Sequence, residues 1–313
     1  MLVEKITNEQ IIADRRKPHL RLKSRRPSPL RLIDYATFVY LGVIALLLLI
    51  FHRGVEYWLR LVFLHIALAG FLFCFIQFTQ RRASQILTFF RDVYPFILYT
   101  FMFKEISLVI NVLFPFWLEE HLIRWDLALF GNHPTVWLQH VNGPWLREWM
   151  AFSYWSYYIF IPIVCLTLYF RKDRSLCHSY TFSISLTLYL CYFMFLFLGA
   201  RGPHETLAHL HAQRTLAGFF DKMVYSIQSH AAISGAAFPS SHVAAMWVAW
   251  IFLFKFKRGV GWVCLPLVLA LSFSVVYMQY HYAVDSFAGI ILVAFTYPLA
   301  RWLENKFPAR SAS

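Results

Sequence analysis

Residues 178–203, HSYTFSISLTLYLCYFMFLFLGARGP, decide the fold. From Ser179 to Gly199 no side chain is charged, and a run of about 20 such residues crosses roughly 30 Å of hydrocarbon. The run stops at the polar island Gly199-Ala200-Arg201-Gly202-Pro203. Comparable apolar runs recur near 35–51, 57–79, 93–117, 148–170, 239–256, 261–279 and 283–302. With 178–199 they predict an all-α, polytopic membrane helical bundle of about eight transmembrane helices. Lys104 and Glu105 fall in the middle of the third run.

Composition points the same way. Hydrophobic residues are 59%, aromatics 19% and charged residues 14%, against about 25% charged in a soluble domain. The charged and turn-forming residues before the first run, with no small-residue cleavage site after it, speak against a cleaved signal peptide. The five cysteines show neither a pairing pattern nor a CxxC metal motif.

A net charge of +13 invites a nucleic-acid reading, but the distribution argues otherwise. With the N-terminus inside, 21 of the 29 Lys and Arg fall in cytoplasmic segments and seven on the opposite side. That is the positive-inside bias. The basic arm lacks any aromatic recognition module, so it reads as a topology signal touching lipid heads rather than as a nucleic-acid arm. The expected organisation is a basic cytoplasmic arm over 1–30, an accessory transmembrane hairpin over 31–92, a six-helix membrane core over 93–303 and a cytoplasmic tail over 304–313. The hairpin reads as accessory because its two runs carry almost no polar residues. Between the third and fourth runs, Leu118, Leu122, Trp125 and Leu129 recur at helical spacing, with Glu119, Arg124 and Asp126 on other faces. Such a helix lies flat in the interface.

Two more polar islands, Pro239-Ser240-Ser241-His242 and His281-Tyr282-Ala283-Val284-Asp285, begin apolar runs. All three islands face the non-cytoplasmic side in the eight-span topology. If the last helix starts near Tyr280, His281 and Asp285 share one face, a turn apart. The carboxylate then orients the imidazole, whose other nitrogen attacks phosphorus. Pro239 and Ser240 open a helix whose free N–H groups cradle phosphate, and His242 on its first turn can protonate a leaving oxygen. Arg201 can clamp phosphate oxygens. The bland readings are a helix cap, an interfacial histidine and a snorkelling arginine. The loop over 200–238 carries His204, Glu205, His209, His211, Arg214, Asp221, Lys222 and His230, and its length suits function or partial folding.

Pro-Ser-x-His opening one helix and His-x-x-x-Asp opening another resemble the second and third motifs of the type-2 phosphatidic acid phosphatase superfamily. Arg201-Gly202-Pro203 resembles the end of its first motif. The resemblance covers roughly 93–302. It implies a helical bundle that acts on lipid phosphates or pyrophosphates without a metal or other cofactor. It makes His281 the nucleophile, Asp285 its orienter and His242 the general acid, with Arg201, Ser240 and Ser241 binding phosphate. Met194 stands where the family's first motif has lysine, Ser241 where the second has glycine, and Val275 where the third has arginine. These departures are closer to the branch containing inositol phosphorylceramide synthase and sphingomyelin synthase, which implies head-group transfer as the alternative to hydrolysis. Asp126-x3-Phe130-Gly131-x2-Pro134 is also similar to bacterial members near that branch. His204, Arg214 or Lys222 are candidates for the missing positive charge. The expected setting is a bacterial inner membrane, with both termini cytoplasmic and the active site outside.

Other chemistries fit less well. His204-Glu205-x3-His209 is one residue too long for HExxH. Ile233-Ser234-Gly235 lacks the leading glycine of a serine-protease elbow. A transporter or scaffold that keeps the fold without chemistry is the third reading, with Lys104 and Glu105 on its path or paired across the bundle. Catalysis by a neutral imidazole would fail below about pH 5–6.

Overall fold

The computed structural model describes residues 30–308 except 83, 111, 113, 142, 172–173, 213–215 and 217. The basic arm up to residue 29, Arg214 and residues 309–313 of the tail lie outside the described residues. Among the described residues twelve α-helices follow one another: α1 (Leu32–Ile50), α2 (Trp58–Arg81), α3 (Gln85–Ile106), α4 (Glu119–Phe130), α5 (Pro134–Leu138), α6 (Pro144–Tyr169), α7 (Ser175–Phe197), α8 (Pro203–Thr206), α9 (Phe219–Ala231), α10 (Ser241–Phe256), α11 (Arg258–Tyr277) and α12 (Ala283–Lys306). The described residues form no strand, only an isolated bridge between Ala200 and Ala236. Seven of the described helices are long and apolar enough to cross a membrane: α1, α2, α3, α6, α7, α11 and α12. The sixth expected span, α10, is a 16-residue apolar helix. The chain is an all-α, multi-pass membrane protein.

Helix α7 is the hub. It packs against α1, α3, α6, α10 and α12. It is 72% buried where α2 is 22% buried, so α2 faces lipid.

The third span departs from expectation. Helix α3 starts at Gln85, capped by Ser84, and ends at Ile106, so Lys104 and Glu105 occupy its last turn rather than its middle. Lys104 donates to the His230 carbonyl at 3.1 Å, and Glu105 pairs with His65 of α2 at 3.2 Å. The boundary expected at 92 falls inside α3. Nor are the first two helices purely apolar: Asp34 of α1 bonds Arg91 and the Tyr94 hydroxyl of α3, and Thr37 lies 3.0 Å from the Tyr189 hydroxyl of α7. In a membrane such pairs hold neighbouring helices, because an unpaired ionic group there is costly.

The stretch through α4 buries Leu118 and Leu122 of the expected apolar face, but it buries two carboxylates as well. Glu119, Leu122 and Asp126 point into the protein, while Trp125 and Leu129 are exposed. The two inward carboxylates have partners, which outweighs the pull of their charge toward water.

Candidate active site

Helix α11 stops where Gln279 takes a positive φ of 67°. The amides of Tyr280 and His281 both return to the Val275 carbonyl, at 3.1 and 3.0 Å. His281 is thus fixed on a turn before α12, not on that helix. Asp285, the third residue of α12, accepts the Tyr282 amide at 2.9 Å through Oδ2, and that oxygen lies 3.4 Å from His281 Nδ1. The expected stacking of His281 and Asp285 on one helix face is therefore corrected. A carboxylate at this position reaches back to close the helix start, and it meets the imidazole from inside the cap.

The nearer partner of His281 is one the sequence did not disclose. Its Nδ1 donates to the Ala237 carbonyl at 2.8 Å. A carbonyl only accepts, so Nδ1 holds the proton and Nε2 keeps its lone pair.

Backbone bonds join the three islands. Ala200 donates to Gly235 at 2.9 Å and Ala237 to Ala200 at 3.0 Å, which places the carbonyl that holds His281. His204 donates to Gln279 at 2.9 Å, and Ser240 to Asp285 at 3.0 Å. Gly202 lies against this seam: a Cβ there would stand 2.7 Å from the Tyr280 carbonyl oxygen.

Ser240 caps α10, and Ser240 and Ser241 are both buried. His242 follows on the first turn, with its ring 6.0 Å from that of His281. The rings of Tyr157 and Tyr154 stand 4.5 and 5.0 Å from it. Its Nε2 is 3.2 Å from the Tyr154 hydroxyl, which in turn accepts from the Gln228 amide of α9. The Tyr154 hydroxyl thus ties His242 to α9 through one ring nitrogen. The other, Nδ1, is a buried atom with no hydrogen-bond partner among the described residues.

Arg201 is already engaged. Glu119 holds it, and its guanidinium lies 4.9 Å over the Trp117 ring. The other candidate cations divide. His204 stands at the rim with its ring 5.4 Å from Tyr280. Lys222 is exposed on α9 and carries no ion pair among the described residues, and Arg214 is not described. Met194 is half-buried and Val275 fully buried.

Asp126 of α4 was legible only as a family-like motif, and its geometry is new. Its Oδ2 accepts the Ala283 amide at 3.1 Å and its Oδ1 the Val284 amide at 3.0 Å. The start of α12 thus carries two carboxylates, Asp126 and Asp285, directly beside His281. Burial pushes the Asp126 carboxyl above the ordinary range, against the pull of the Val284 and Ala283 amides.

Helix α9 is pinned by the start of α6. Glu148 accepts the Phe220 amide at 2.7 Å, and Arg147 pairs with Asp221 at 2.7 Å. The long loop is therefore largely folded, and it delivers Gln228 to the pocket. Among the described residues no cluster of three His, Cys, Asp or Glu could hold a metal ion.

Fold and pocket together define a multi-pass membrane protein with a histidine-centred polar site at the ends of its helices. Residues 120–299 match the PAP2 superfamily, more than half of the chain, and the protein belongs to that superfamily. Membership supports an enzyme of the phosphatase or phosphotransferase type. The match runs from α4 into α12 and leaves α1–α3 outside. No curated protein and no solved structure matches the chain.

Proposed function

We propose that this protein cleaves a phosphoryl bond of a lipid phosphate or pyrophosphate through a phosphohistidine on His281, without a metal, on the extracytoplasmic face of a bacterial inner membrane. The observation that carries the proposal is the 2.8 Å bond from His281 Nδ1 to the Ala237 carbonyl, which leaves Nε2 with its lone pair. That nitrogen attacks phosphorus, and the bond to the leaving oxygen breaks. His242, one ring away, gives the proton that the leaving oxygen takes up. Water or an alcohol then attacks the phosphohistidine, with His242 accepting its proton. Asp285 stabilises the positive imidazole of the intermediate. The phosphate oxygens lie against the free amides at the start of α10 and near Arg201.

Purified protein given a radiolabelled lipid phosphate and quenched in alkali tests this reading. A base-stable, acid-labile phosphoprotein is expected, absent in His281→Ala. Turnover of the lipid with no labelled protein would sink the phosphohistidine.

Charge at the site favours a second reading, head-group transfer of the inositol phosphorylceramide synthase type. Neither Met194 nor Val275 supplies a cation, and Arg201 is shared with Glu119. A phosphodiester monoanion needs less compensation than a phosphomonoester dianion. Turnover of a phosphodiester lipid only when ceramide is present would place the enzyme in that class. Lipid movement without any bond cleavage would instead support the transporter reading.

A further inference from the structure

The bundle carries a second cleft, of about 440 Å³, walled by Ile86 and Phe89 of α3, Tyr169 and Phe170 at the end of α6, and Arg171 and Arg174 beyond it. Along α6 it lies ~22 Å from Tyr154 and the histidines, at 1.5 Å of rise per residue. Arg81, Arg82, Lys255 and Lys257 end or follow helices at the same side, so this is the strongly basic face of the bundle.

Charges around the cleft do not balance. Asp92 is the one carboxylate that its arginines share among the described residues: it pairs with Arg31, with His178 at 3.2 Å and with Arg174 at 3.6 Å. Arg171 has no carboxylate partner among the described residues; its guanidinium rests 4.7 Å over the Phe256 ring. Among the described residues, Arg171 and Arg174 line the cleft and only Arg174 reaches a carboxylate, which it shares with Arg31, so positive charge predominates beside a wall of aliphatic and aromatic side chains. Ile86 is 70% exposed and Phe170 is 79% exposed, which in a membrane means contact with acyl chains.

We infer that this cleft binds an anionic phospholipid of the basic-side leaflet, its phosphate between Arg171 and Arg174 and its acyl chain along Ile86, Phe89 and Phe170. Guanidinium groups suit a phosphate diester, and each basic side chain near a membrane surface adds several-fold to the affinity for an anionic lipid. The cleft is large enough for a glycerophosphate head, since ligand sites begin near ~300 Å³.

The test uses the full chain in nanodiscs made from mixed phosphatidylglycerol and phosphatidylcholine, with retained lipid read by native mass spectrometry. Wild type is expected to retain phosphatidylglycerol roughly tenfold over its share of the mixture, and Arg171→Gln to cut that enrichment roughly fivefold. Arg171 does not touch Asp92, so this variant leaves the ion pairs of α3 intact. Ile86→Trp keeps every charge but fills the cleft, and it too is expected to lose the retained lipid. Equal retention of the two lipids by wild type would overturn the site. Undiminished phosphatidylglycerol on Ile86→Trp would also overturn it, because diffuse surface charge then accounts for the binding. Neither outcome depends on the chemistry at His281.

Discussion

Glu119 holds Arg201 by two of its nitrogens, Nε at 2.7 Å and Nη2 at 2.5 Å from the same carboxylate oxygen. The residue expected to bind phosphate is thus half-neutralised before substrate arrives. Glu119→Gln removes the competing charge. The KM for a phosphomonoester dianion is expected to fall about fivefold, worth roughly 1 kcal/mol at a partly exposed site. The KM for a phosphodiester should move far less. Titrating both substrates against the variant checks this, and equal KM values to wild type would show that Arg201 does not face the anion.

The two histidines should not be equivalent. His281→Ala removes the nucleophile and is expected to leave only background turnover. His242→Ala removes acid–base assistance and should lower kcat about 10²- to 10⁴-fold. A leaving group that needs no proton, such as p-nitrophenol, should restore much of the His242→Ala rate and none of the His281→Ala rate. Equal rescue of both variants would argue against these roles.

Gly202 offers a test that touches no reacting atom. A methyl group there meets the Tyr280 carbonyl at 2.7 Å, next to His281, whereas one at Gly143 meets nothing within 4 Å. Gly202→Ala is expected to lower kcat at least tenfold, since misplacing a catalytic group by about 1 Å costs up to 10²-fold. Gly143→Ala should be neutral in the same assay.

Asp126 gives the stability prediction. Removing both acceptors with Asp126→Ala strands two amides at the start of α12, and should cost about 1–3 kcal/mol in unfolding experiments. The pH dependence has a definite sign. Burial raises this carboxyl, so the native chain takes up its proton at higher pH than the unfolded chain does. Its contribution therefore favours the fold increasingly as pH falls from the raised value toward the ordinary one near ~3.9. Melting curves of wild type and Asp126→Asn should show the wild type gaining relative stability on acidification through that window. A constant difference would refute the burial argument.

Much of this was legible from the chain. Apolar run length placed seven of the eight expected spans on long helices, and the three islands were recognisable by residue type alone. What the sequence hid lies in backbone geometry and in partners distant along the chain. Nothing about Ala237 signals that its carbonyl holds His281, because every residue has a carbonyl and only the bridge to Ala200 aims this one. The shared helix face of His281 and Asp285 required a start near Tyr280, whereas α12 starts at Ala283, for a related reason. His281 and Asp285 at four-residue spacing fit a helix face, and a capping carboxylate gives the same spacing with the histidine outside. Glu119 and Asp126 were placed only on faces other than that of Leu118 and Trp125, since helical periodicity cannot tell that an arginine contact and two backbone amides await them.

Two helix starts meet beside His281, and they are used differently. The amides of α12 are saturated by carboxylates belonging to the protein, Asp126 and Asp285. The start of α10, where among the described residues the neutral Ser240 hydroxyl is the cap, keeps its partial positive charge. On the proposed reading, an incoming anion is drawn toward the start of α10 and repelled from that of α12, so it arrives with its orientation already chosen.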